Sequence, residues 1–282
     1  MIMKSVIVFV FVLNSLFSFA QVAAKKDSTV TGPEGISVSP SSLKLSIPPG
    51  KSETKNIRIS NSTSKSFKFK VSFTDFMMDK NGKPIEEKGV KNKYCLSKWI
   101  VVSPSFFELS AGESKEISVR IDVPLNDSSA HAAWTILMLD QVAERQPAPE
   151  NPNGTSIAMG LVPSFAFGVY IYQNPPNVIT NKSEISKFVK IKGDSSEAFD
   201  VQVKNTGDGI GFCKLHIEVT SLTDGKEYKL PLKKFTILPG AIRTFDCPLP
   251  KGLVKGKYSA VAVLDYGSKE VIEGAEIEFS IE

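Results

Sequence analysis

The chain has no stretch in which apolar residues recur at three- and four-residue spacing, so helices are not expected to build its core. Histidine is nearly absent: His131 and His216 are the only two. His131 lies in SSAHAAW, just before an apolar run, and reads as a polar loop residue. His216 alternates with Leu215 and Ile217 and reads as a solvent-facing strand position. No Cys or His cluster has metal-ligand spacing, and no G-x-S-x-G elbow is present. NTGDGIGFC is glycine-rich but carries no Lys-Ser/Thr and leads into no helical pattern, so it reads as a turn between strands rather than a phosphate loop. The acidic pairs Glu86-Glu87 and Glu113/Glu116 fall in turn-rich segments and read as solvated surface. These absences argue against an enzyme, and no metal or cofactor is expected.

Charge of one sign is also lacking. The formal net charge is +4, and removing residues 1–20 takes away one lysine and no acid, leaving +3. That balance is too mild and too evenly spread for nucleic-acid binding. The three cysteines, Cys95, Cys213 and Cys247, cannot all pair within one chain. They read as small buried hydrophobes, with a Cys213–Cys247 bond left open.

The start of the chain is different in kind. MIMKSVIVFVFVLNSLFSFAQ has a basic residue at Lys4, an apolar run from Val6 to Leu13, and small residues at Ser18 and Ala20. This is a secretory signal-peptide pattern, with cleavage expected after Ala20. The run is short for a hydrocarbon core of about 30 Å, and Asn14 and Ser15 interrupt it. No later stretch is long and apolar enough to span a membrane. An exported product is expected, in the periplasm or at the cell surface.

Residues 21–35, QVAAKKDSTVTGPEG, are polar and aperiodic and read as a flexible lead-in. From Ile36 the chain alternates. FKFKVSF places Phe67, Phe69, Val71 and Phe73 on one face and lysines on the other; NIRIS and KEISVRIDVP repeat the period of two. DKNGKPI holds a hairpin-type Asn-Gly pair. AAWTILML is continuously apolar, as in a strand covered on both faces. The second half uses the same grammar: AFDVQVKN, FCKLHIEVT, a turn at Asp224-Gly225, then KYSAVAVLDYG and AEIEFSIE. A weak internal echo links SAGESKEISVRIDVPLND to LPGAIRTFDCPLPKG, each a glycine turn, a strand and a closing proline. The fold class expected is all-β: two tandem immunoglobulin-like β-sandwiches after a signal peptide, spanning 36–175 and 176–282. The stiff connector QNPPN marks the boundary. The sequons at Asn61, Asn126, Asn153 and Asn181 read only as polar, solvent-facing turns.

One stretch breaks the rule of alternating charge. In GLVPSFAFGVYIYQNPP, Gly160 to Pro176, the strand would put Phe165, Phe167, Val169 and Ile171 on one face and Ala166, Gly168, Tyr170 and Tyr172 on the other. Neither face is charged. It follows a proline-rich segment, Val142–Ser156, that reads as a long mobile loop.

SVSPSSLKLSIPPGKSETKNIRISNSTSKSFKFKVSF, WIVVSPSFFELSAGESKEISVRI, VPLNDSSAHAAWTILMLDQV and SFAFGVYIYQNP follow one another in an order that resembles the PapD-like periplasmic pilus chaperones, over roughly Val38 to Pro175. The resemblance implies a non-enzymatic protein that binds β-rich surface or pilus subunits through an edge strand, here Phe165, Phe167, Val169 and Ile171. An open edge offers unpaired peptide groups, and a partner's pockets take every second side chain. The pattern departs from the family in one respect. That family holds its client's terminal carboxylate with an Arg on the first strand and a Lys on the seventh; GISVSPS and AFGVYIY contain neither. The two-sandwich layout also resembles WxL-interacting cell-surface proteins, which implies the alternative of a structural cell-envelope or peptidoglycan-binding protein.

Overall fold

The computed structural model describes residues 34–86, 93–143, 164–176, 179–192, 197–268 and 272–282. The expected signal peptide (1–20) and nearly all of the lead-in (21–35) lie outside them, as do 144–156 of the proline-rich segment and Gly160–Pro163.

In chain order the first strands are β1 (Ile36–Ser39), β2 (Ser42–Leu45), β3 (Ser52–Asn61), β4 (Phe67–Thr74), β5 (Phe76–Met78) and β6 (Pro84–Glu86). After a turn of 3-10 helix at Leu96–Trp99 come β7 (Ile100–Ser103), β8 (Phe106–Leu109) and β9 (Ser114–Asp122). A second such turn at Asp127–Ala130 precedes β10 (Ala133–Gln141) and β11 (Ala166–Gln173). The remainder is β12 (Ser183–Lys192), β13 (Glu197–Asn205), β14 (Gly211–Ser221), β15 (Glu227–Lys229), β16 (Lys233–Ile237), β17 (Ile242–Pro248), β18 (Gly256–Asp265) and β19 (Glu273–Ile281).

These strands make two sandwiches. The first stacks β1-β3-β9-β7 on β2-β11-β10-β4-β8. The second stacks β12-β13-β17 on β15-β14-β18-β19, with β16 also against β14. Among the described residues no sheet mixes strands from the two groups. The chain is all-β, two immunoglobulin-like sandwiches in tandem. The alternating residues define the cores: Ile57, Ile59, Phe69, Ile117, Val119 and Ile121 are fully buried in the first, and Phe199, Val201, Val203, Leu215 and Val219 in the second. Each such side chain contributes about 1.5–3 kcal/mol by leaving water. Cys213 and Cys247 are buried and not bonded to each other, Cys95 is buried as well, and burial pushes the Cys213 thiol up to about 11.

The internal echo is a shared corner. Gly112 and Gly240 occupy matching turns with φ of 71° and 72°, the left-handed region that glycine enters without steric cost. The last residues of β3 and β13, Asn61 and Asn205, sit beside these turns. The backbone N–H of Asn61 donates to Glu113 at 2.9 Å, and that of Asn205 to Ala241 at 3.0 Å. Each side-chain amide then donates to a carbonyl of the strand before the glycine, Leu109 or Ile237, at 3.2 Å in both. Asn61 is only 2% exposed. Its sequon is therefore not a solvent-facing turn, as its composition suggests; the amide is a buried bracket.

β10 is covered on both faces, as its unbroken apolar run requires. Ala133, Leu137 and Leu139 enter the first core. Trp134 and Ile136 enter a third cluster that also holds Phe76 and Tyr172, together with Ile210 and Leu238 from the second half. The outer face of one sheet thus becomes an interior because the second sandwich lies on it.

The connector is clamped as well as stiff. The Gln173 amide accepts from the N–H of Ile47 at 3.0 Å and donates to its carbonyl at 2.7 Å. Its neighbour Asn174 does the same to Ile210, at 2.9 Å both ways. Consecutive side chains each hold both backbone groups of one residue, one in each sandwich.

Candidate functional site

The site is built around β11. Its side chains alternate, and the structure puts Val169 and Ile171 wholly inside the first core. Phe167 is half-buried against that core, and Phe165 is 37% exposed. Phe165 closes a cluster at the far end of the sandwich, with ring centroids 5.5 Å from Phe67, 6.1 Å from Phe69 and 5.4 Å from Phe167. The opposite row, Tyr170 and Tyr172, stacks at 6.0 Å and faces the second sandwich, where Phe212 packs edge-on to Tyr172 at 5.7 Å.

The two edges of β11 differ along its length. On one side β10 pairs with it from Ala166 to Gln173. On the other, β2 pairs in parallel, but only from Tyr170 to Gln173. Among the described residues nothing pairs with that side from Ala166 to Val169. The N–H of Tyr170 donates to Ser41 on the β2 side. By the alternation of an antiparallel ladder, the peptide groups of Ala166 and Gly168 point the same way, to the side on which no described residue pairs with them. Half of β11 is therefore an edge, and the other half is interior.

Beside this half-edge lies a cleft of about 490 Å³ between the sandwiches. Ser41, Ser42, Gly168, Tyr170 and Tyr172 form its wall on the first sandwich, and Phe212, Phe235 and Thr236 line the second. Four cations reach it: Lys44 from β2, Lys214 from β14, Lys234 from β16 and Arg243 from β17. Lys214 pairs with Asp265 at 3.0 Å. Lys44 sits 4.0 Å over the Phe212 ring, and no carboxylate among the described residues pairs with Lys44 or Lys234. None of the four was legible as a site from sequence. They come from four strands spread over some two hundred positions, each on an alternating strand where a lysine reads as solvated surface.

Burial, reinforced by Tyr170 alongside, pushes the Tyr172 hydroxyl up to about 12. Between pH 10 and 12 an unfolded tyrosine ionises while Tyr172 in the fold keeps its proton. The folded state therefore loses stability as pH rises through that window and is unaffected below it. Denaturant unfolding at pH 9 and pH 11.5 is expected to cost wild type about 2 kcal/mol more than Tyr172→Phe; equal alkaline losses in the two proteins would contradict the assignment.

His131 and His216 stand apart, in the turn before β10 and on β14, and no group of three His, Cys, Asp or Glu among the described residues is placed to hold a metal. No helix among them is long and apolar enough to cross a membrane.

Solved structures similar to this chain include fimbrial chaperones. A chaperone–tip adhesin complex vital for synergistic activation of CFA/I fimbriae biogenesis matches at 15% identity and a TM-score of 0.43, over 86% of this chain and 98% of that one. The CsuC–CsuE chaperone–tip adhesion subunit pre-assembly complex from archaic chaperone-usher Csu pili of Acinetobacter baumannii matches at 11% identity and a TM-score of 0.41, over 86% and 97%. The E. coli chaperone DraB matches at 14% identity and a TM-score of 0.39, over 88% and 97%. No protein-family model and no curated protein matches the chain.

Proposed function

We propose that this is an exported, non-enzymatic chaperone-like protein, with domains at 36–175 and 176–282, that captures an extended segment of a β-rich surface protein along the open half of β11. The observation that carries the reading is the half-edge from Ala166 to Val169, ending where β2 begins and where the cationic cleft opens. A guest strand adds its main-chain hydrogen bonds to Ala166 and Gly168. Phe167 of β11 and Phe165 just before it, which both stay partly uncovered, supply its apolar contact; Val169 and Ile171 hold the strand in place from inside the core.

Charge selects the direction of the guest. A strand parallel to β11 arrives at Ser41 with its C-terminus, and an antiparallel one with its N-terminus. Lys44 and Lys234 at that point favour a carboxylate and repel an amine. The anchoring cations missing from the first and seventh strands are thus replaced by Lys44 of β2 and Lys234 of β16, and the preferred client ends in a free carboxylate near the cleft.

The decisive variant is Ala166→Pro. The N–H of Ala166 points away from β10, so proline removes the guest's donor and leaves the β10 ladder whole. Purified wild type and variant would be titrated with alternating apolar peptides of about eight residues, carrying either a free or an amidated C-terminus. Wild type is expected to prefer the free carboxylate about tenfold, roughly 1.4 kcal/mol, with Ala166→Pro losing binding while keeping its melting temperature. Equal binding by wild type and Ala166→Pro would exclude the edge, and pelleting of both with purified peptidoglycan would support an envelope-binding role instead.

A further inference from the structure

The β5–β6 hairpin forms part of neither sheet stack of the first sandwich. Among the described residues β5 and β6 pair only with each other, from Phe76–Glu86 to Met78–Pro84. The tip is built by Asp79, whose carboxylate accepts the N–H groups of Asn81 at 2.9 Å and Lys83 at 2.7 Å, while its carbonyl accepts from Gly82 at 2.9 Å. So organised, the tip presents the carbonyls of Lys80 and Asn81 outward, and both are taken by β17 of the second sandwich. The N–H of Thr244 donates to Lys80 at 2.7 Å, and Arg243 Nη2 donates to Asn81 at 3.1 Å. Arg243 Nη1 binds the Thr236 carbonyl of its own sandwich at 2.8 Å and touches Met78 Sδ at 3.5 Å.

Several features mark this contact as specific. Arg243 is only 9% exposed, with its guanidinium held against the rings of Phe235 at 5.5 Å and Phe245 at 5.4 Å. Gly82 presses on it so closely that a Cβ would collide with the guanidinium, and its φ is +84°. A planar cation can bridge two carbonyls in different sandwiches; a lysine cannot reproduce that fork. Met78, Gly82 and Arg243 also line the cleft.

We propose that the β5–β6 hairpin is a latch, closed on β17 by Arg243 and Thr244, that sets the width of the cleft and so the affinity for the strand captured beside it. This rests on the strand-capture reading, and Arg243 acts in it as a positioning residue rather than as a contact of the guest. Besides the apolar cluster around Trp134, the gap between sandwiches is held at one side by the connector clamps of Gln173 and Asn174 and at another by the hairpin tip, and the tip is the restraint that a substitution removes without touching either core.

Two variants test it in the full chain. Arg243→Ala removes the fork. Thr244→Pro removes only the N–H that β17 sends to Lys80, because β17 is an edge strand whose N–H at that position serves no ladder. Nitroxides at Thr54 and Lys255, exposed positions on the two sandwiches, report the separation by electron–electron double resonance; the three native cysteines are buried. Binding of an alternating apolar peptide with a free carboxylate is measured in parallel. Both variants are expected to broaden the distance distribution and weaken the peptide about tenfold. A wild-type distribution for folded Thr244→Pro would overturn the latch, and broadened distances with unchanged affinity would overturn its coupling to the site. If wild type itself binds no peptide, strand capture fails, while the distances still decide whether the hairpin restrains the sandwiches.

Discussion

Trp134→Ala is expected to lower the unfolding free energy by about 4–8 kcal/mol and to split a single calorimetric transition into two. Trp134 is 1% exposed. It stacks on Tyr94 with centroids 4.5 Å apart, and its indole N–H donates to the Phe76 carbonyl at 2.7 Å. Truncating a buried tryptophan costs about 3–5 kcal/mol in lost burial and cavity. Stranding the Phe76 carbonyl adds about 1–3 kcal/mol. The split follows from position. Trp134 belongs to the cluster that contains Phe76, Ile136 and Tyr172 of the first sandwich and Ile210 and Leu238 of the second. While that cluster is intact, neither sandwich unfolds without exposing apolar surface on the other. With the indole gone, the contact between them loses its largest member, and the two cores, which share no residue, melt separately. A melting temperature within two or three degrees of wild type would show that the cluster is incidental to cohesion.

What the sequence made legible is what depends on neighbours along one strand. Phe67, Phe69 and Val71 alternate because β4 has one dry face, and Ile117, Val119 and Ile121 do so in β9; both strands stand where the period of two puts them. The unbroken run in β10 correctly signals two dry faces. What covers the second face could not be read, because Ile210 and Leu238 arrive from another sandwich, 76 and 104 positions beyond Trp134. The same holds for the cleft. Lys44, Lys214, Lys234 and Arg243 converge only through tertiary placement, so a search confined to the first and seventh strands finds no cation. The Asn-Gly pair at Asn81-Gly82 announces a turn, but its docking on β17 depends on two carbonyls, which no side-chain pattern records. Proline accounted for the stiffness of QNPPN; the amide clamps of Gln173 and Asn174 needed the partner peptides at Ile47 and Ile210 to be seen.

The matched corners give the second large effect. Asn61→Ala is expected to cost about 2–4 kcal/mol, and Asn205→Ala a comparable amount, because each removes a side chain that satisfies several buried backbone groups at once. Asn61 donates to the carbonyls of Lys65 at 2.7 Å, Ser110 at 2.8 Å and Leu109 at 3.2 Å, and accepts the N–H of Thr63 at 3.0 Å. Asn205 donates to Gly209 at 2.8 Å and Ile237 at 3.2 Å and accepts from Gly207 at 3.0 Å. Asp is the sharper probe of mechanism. It keeps the shape and the acceptor but turns the donor into an oxygen facing carbonyls, so Asn61→Asp should be at least as damaging as Asn61→Ala near neutral pH. Asn56 provides the contrast on the same strand. Its amide reaches Glu116 at 3.3 Å on the exposed face, and Asn56→Ala should stay within about 0.5 kcal/mol of wild type. Urea unfolding of the four variants decides the matter. If Asn61→Ala and Asn56→Ala shift the midpoint equally, the corner bracket contributes nothing beyond a surface amide, and the echo between the halves is only a likeness of turns.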